Sequence, residues 1–170
     1  MNFPQWTARM QAQGCRICPS STGVPVDLRG LFPDGRGFHL LCRGVCVRLA
    51  VYRPGRARWQ VPVVAGADRP EEAFADWEHR PVDAVAEPSP GTMLVFDGLS
   101  PDAQAVWDGA RERGWNSYEA GLLRTPEAAA HFVTLLRTLE PQEYRVPVQP
   151  GPPTRATRVG MSADGPSRGC

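Results

Sequence analysis

A chain of 170 residues, 42% hydrophobic and 22% charged, has the length and composition of one globular domain that can bury a core without disulfide or metal staples. Its 19 cations are all arginine, the bias of a GC-rich genome, so a lysine Schiff base, a P-loop lysine and a kinase-type phosphate lysine are excluded. The net charge of +1 conceals an asymmetry: residues 1–60 hold nine Arg and two Asp (+7), residues 61–150 seven Arg and fifteen acids (−8), and residues 151–170 three Arg and one Asp (+2).

Phe3, Trp6 and Met10 recur at helical spacing, with Pro4 in a first turn and Gly14 to end the segment, so residues 4–13 read as a short amphipathic helix. Prolines 19, 25 and 33 and glycines 23, 30, 35 and 37 then make irregular chain, with one short strand at 24–28. The apolar run from Phe38 to Tyr52 reads as a strand, bulged or broken at Gly44. Trp59 to Val64 reads as its partner, so a hairpin is expected near 38–64. Three segments, beginning Arg69-Pro-Glu-Glu-Ala, Ser100-Pro-Asp-Ala and Thr125-Pro-Glu-Ala, carry proline and acid where a helix first turn favours both. They predict helices near 70–78, 101–113 and 126–139. Thr92 to Phe96 is a buried strand running into the Asp97-Gly98 turn. Residues 115–123 suit either a strand or a short helix capped by Ser117, and 145–148 a last edge strand. The fold class expected is α+β or α/β: a small mixed sheet covered by three helices, as one domain over 1–148 with a disordered Pro/Gly/Arg tail over 149–170.

The first candidate site is Cys15-Arg-Ile-Cys18 followed, after 23 intervening residues, by Cys42-Arg-Gly-Val-Cys46. Four thiolates in two close pairs suit tetrahedral zinc, with His39 as a substitute ligand; the competing reading is that buried cysteines serve as small hydrophobes. The second is the basic stretch Arg29, Arg36, Arg43, Arg48, Arg53, Arg56 and Arg58 with Trp59 beside it. Arginine forks hold phosphates and aromatics stack on bases, although the same pattern fits a hairpin with a solvated outer face. Asp97, at a strand end, is a candidate catalytic carboxylate, and Trp107, Trp115, Tyr118 and Phe132 a candidate partner-binding face or simply core.

No GxSxG, HExxH or GxGxxG pattern occurs. No run reaches the roughly 18 apolar residues that cross a bilayer, and no secretory leader opens the chain, so a cytosolic protein without membrane contact is expected. The functional expectation is a non-catalytic binding protein whose basic first third meets nucleic acid or an acidic protein. Its rivals are a small enzyme built on Asp97 or the N-terminal cysteines, and a protein adaptor using the aromatic helical face.

Overall fold

The computed structural model describes residues 1–62, 77–98 and 100–139. Helix α1 (Phe3–Ala12) opens with a reciprocal cap: the Asn2 carboxamide accepts the Gln5 N–H, and the Gln5 side chain accepts that of Asn2, both at 3.0 Å. Strands β1 (Arg16–Ile17), β2 (Thr22–Gly23), β3 (Val26–Leu31), β4 (Gly37–Arg43), β5 (Cys46–Tyr52) and β9 (Ala103–Asp108) form one sheet, with β1 and β2 both on β3 and the order continuing β3-β4-β5-β9. Strands β7 (Trp77–Pro81), β6 (Ala57–Pro62) and β8 (Met93–Phe96) form a second, in that order. Helices α2 (Gly109–Arg113) and α3 (Thr125–Leu139) and the 3-10 turns η1 (Val82–Ala84) and η2 (Glu119–Leu122) complete the described elements. Every described strand pairing is antiparallel, so the architecture is α+β, with two antiparallel sheets among the described residues where one small mixed sheet was expected.

Period-two alternation decides which face of the larger sheet is core. Val26, Leu28, Phe38, Leu40, Cys42, Val47, Leu49, Val51 and Ala105 point to one side, where Trp6 and Met10 of α1, Ala120 and Leu123 around η2, and Ala128, Phe132 and Leu135 of α3 close over them. A second cluster, Cys18, Leu31, Ala57, Trp59 and Leu94, joins the other side to the smaller sheet. Gly37 permits that junction. It stands opposite Tyr52, and a side chain on it would collide with the Phe96 ring, which stacks on Tyr52 at 4.0 Å with the planes 4° apart.

Two expectations need correction. The hairpin closes earlier than its apolar pattern suggested: Gly44, at φ +60°, turns the chain so that Gly37–Arg43 pairs with Cys46–Tyr52, and residues 57–62 leave for the second sheet. The helix expected over 101–113 is a strand through Asp108. Asp102 caps no helix; its carboxylate accepts the Arg53 N–H at 2.9 Å and the Arg56 guanidinium at 2.8 Å. The true cap is Asp108, which accepts the N–H of Ala110 at 2.9 Å and starts the short α2 that Gly114 ends at φ +69°.

Helices α1 and α3 and strand β8 form where the sequence pattern put them. Within 115–123 only Glu119–Leu122 is helical, as η2, anchored by the Glu119 carboxylate on the N–H groups of Asn116 and Ser117; no Ser117 side-chain cap forms. The helix expected at 70–78 falls outside the described residues as far as 76, and Trp77 and Glu78 begin β7. The edge strand at 145–148 and the tail from 149 also lie outside them.

Candidate functional site

Five of the seven arginines of the basic stretch are paired with aspartates. Arg29 meets Asp27 at 3.2 Å, Arg36 meets Asp34 at 2.6 Å, Arg53 and Arg56 share Asp102 at 3.8 and 2.8 Å, and Arg58 meets Asp97 at 3.3 Å. Arg56 also donates to the carbonyls of Asp97 and Ser100, fastening the start of β6 to the chain entering β9. Trp59 is 0% exposed between the sheets, so this indole is no platform for a base. Arg43 and Arg48 differ. Both are exposed on the outer face of the β4–β5 hairpin, and among the described residues neither is held by a carboxylate.

The four thiols do not converge. Cys42 stands opposite Val47 in the main core while Cys46 stands opposite Arg43, so adjacent register positions send them to opposite faces of the hairpin. Cys18 is buried with the second cluster, its sulfur 3.1 Å from the Leu94 N–H that donates to it, and Cys15 packs against the main core. Among the described residues no three His, Cys, Asp or Glu side chains gather as a metal site. Burial pushes the Cys42 thiol up to about 12, and burial followed by the Asp34 charge raises that of Cys15. Both are protonated at neutral pH, the unreactive form.

His39 Nε2 donates to the Asp27 carboxylate over 2.9 Å instead of facing the cysteines. Asp97 is an exposed carboxylate bound to Arg58 at the end of β8. Of the four aromatics, Phe132 is core, while Trp107 and Trp115 pack edge to face at 5.0 Å beneath the Arg113 guanidinium.

Tyr118 is the exception, 75% exposed. Leu122 and Val24 accompany it at 72% and 73%. With Pro25, Arg43, Gly44 and Gly121 these residues line a groove of about 300 Å³ between the β2–β3 turn, the β4–β5 turn and η2. Its base is held by the Ala120 N–H donating to the Gly44 carbonyl at 3.0 Å. Val24 and Leu122 carried no signal of a surface role in the sequence, because each falls in a segment that reads as a secondary-structure element, with Val26 and Leu123 as apolar neighbours.

A larger groove of about 590 Å³ runs between α1, β1 and residues 86–88. Its cation, Arg16, is spent on the carbonyls of Val82, Val85 and Ala86, and the Thr7 hydroxyl donates within its own helix. No helix among the described residues is long and apolar enough to cross a membrane. Comparison with protein-family models, with curated proteins and with solved structures finds no match to this chain.

Proposed function

We propose that the protein is a non-catalytic binding module whose groove at Val24, Tyr118 and Leu122 receives an acidic polypeptide segment carrying an apolar anchor. The observation that carries this reading is the gathering of three large apolar side chains, each more than two-thirds exposed, around one depression. A single exposed leucine is ordinary, whereas a contiguous apolar patch rimmed by polar groups marks an interaction site.

Charge selects the occupant. Arg43 lines the groove and Arg48 lies on the same face of the hairpin, so glutamate or aspartate beside the anchor would meet cations that have no internal carboxylate among the described residues. Tyrosine and arginine around a desolvated pocket are also the residue types that dominate interface energetics. A polypeptide is favoured over nucleic acid because the paired arginines and the buried Trp59 leave little of a phosphate-and-base surface. The protonated Cys15 and Cys42 thiols support the non-catalytic part.

The test is fluorescence anisotropy with a labelled peptide holding a central leucine or phenylalanine among glutamates, beside the same peptide with lysines for glutamates and a single-stranded oligonucleotide. Binding of the acidic peptide is expected, with Tyr118→Ala and Arg43→Glu each weakening it by about tenfold or more, which is about 1.4 kcal/mol. Equal affinity for the lysine peptide, or indifference to both substitutions, overturns the reading. Preferential binding of the oligonucleotide assigns the surface to nucleic acid instead.

A further inference from the structure

Strand β9 forms one edge of the larger sheet: it pairs with β5 and, among the described residues, with no other strand. The Gly109 N–H, immediately beyond β9, donates to the Val45 carbonyl at 2.8 Å. Bonded pairs alternate along an antiparallel ladder, so the register of Ala103 on Val51, Ala105 on Leu49 and Trp107 on Val47 directs the odd-numbered backbone groups toward β5. Gln104 and Val106 therefore turn their backbone N–H and C=O groups to the free edge, and Asp108 its N–H, its carbonyl being the first acceptor of α2. Edge strands are usually blunted by lysine, proline or a bulge. From Ala103 to Asp108 there is no lysine or proline, the pairing with β5 runs without a break, and Val106 is 46% exposed.

We infer that this edge pairs with the same edge of a second copy of the chain, antiparallel about a twofold axis at Val106. The register argues for a second copy. Centred on Val106, the pairing sets valine on valine, where the two outward N–H and C=O groups bond reciprocally, and brings Gln104 of each copy opposite Asp108 of the other. The Asp108 cap uses one carboxylate oxygen, Oδ1, for both Ala110 and Arg111, so Oδ2 is free among the described residues to accept the glutamine amide. On the inner face, small Ala105 meets large Trp107. Neighbouring registers are worse: one residue earlier sets Asp102 against Asp108, and one residue later sets Val106 against the Asp108 carboxylate. An isologous contact of this kind closes as a dimer.

Sedimentation equilibrium of the whole chain from micromolar to near-millimolar concentration tests the inference. The mass should rise from the 18.6 kDa of the chain toward twice that value. Val106→Lys, which faces two cations at the axis, should hold the protein monomeric. Gln104→Asp and Gln104→Arg, opposite Asp108 of the other copy, should shift the dissociation constant in opposite directions, the aspartate weakening and the arginine tightening it by about tenfold each. Both positions of change carry exposed side chains, so circular dichroism should report an unaltered fold. A monomer at every concentration, or a dimer indifferent to Val106→Lys and to the sign of the charge at 104, overturns it. The edge and the groove share no residue, and neither reading depends on the other.

Discussion

Asp27 shows how one side chain acquires its energetic role from strand pairing. Burial works against its charge, but the hydrogen bonds and charges of His39 and Arg29 outweigh burial and hold the carboxyl below its ordinary value of 3.8. A folded pKa below the unfolded one means that the contribution to stability is complete above that ordinary value and is lost as pH falls through the lower, folded one. Asp27→Asn should therefore lower stability at neutral pH by about 1 kcal/mol, discounted for partial exposure, and flatten the acid limb of a melting-temperature profile. Gly109 is a steric case: a β-carbon there would lie within the Trp115 indole. Gly109→Ala should cost about 1–3 kcal/mol in urea denaturation, because the ring is held by Trp107 and Arg113. Neither role was legible from local sequence. Asp27 meets His39 because β3 pairs with β4, and Trp115 meets Gly109 because α2 is a short helix.

At the level of elements, segments with a one-sided apolar face and a local terminator were legible. Helix α3 starts where the proline-acid pattern implied and keeps Ala128, Phe132 and Leu135 on its buried face; the structure adds that the Glu127 carboxylate accepts the Arg124 N–H at 3.1 Å. The same start preceding β9 misled because Ala103, Ala105 and Trp107 also satisfy period two, and six residue pairs with β5 outweigh a local helical preference of a few tenths of a kcal/mol per residue. Hydrogen exchange separates the two structures. The amides of Ala103, Ala105 and Trp107 should exchange slowly and those of Gln104 and Val106 rapidly in dilute protein, an alternation that a helix does not produce. At high concentration Val106 should join the slow set if the twofold pairing forms.

For the whole molecule, the basic first third is partly neutralised from within: Asp97 and Asp102, from the acidic remainder, hold Arg58, Arg53 and Arg56. The consequence is measurable. Seven free arginines on a single strand would give a logarithmic salt dependence of about −5, whereas Arg43 and Arg48 alone give about −1.4. Binding to a single-stranded oligonucleotide should show the shallower slope, and Arg43→Glu with Arg48→Glu should abolish it while Arg53→Ala leaves it nearly unchanged. A steep slope would mean that the aspartate pairs open on binding.

The amino-acid sequence alone determined the helical character of α1 and α3, the strand before Asp97 and the approximate extent of the buried residues, because each depends on spacing within about fifteen neighbours and on terminators beside them. Tertiary structure alone decided that the strands divide into two antiparallel sheets, that Cys42 and Cys46 face apart, that five of the seven arginines of the basic stretch are paired, and that Val24, Tyr118 and Leu122 share a groove. Those outcomes depend on which distant segment lies opposite, and a one-residue change of register reverses the face on which every side chain of a strand is presented.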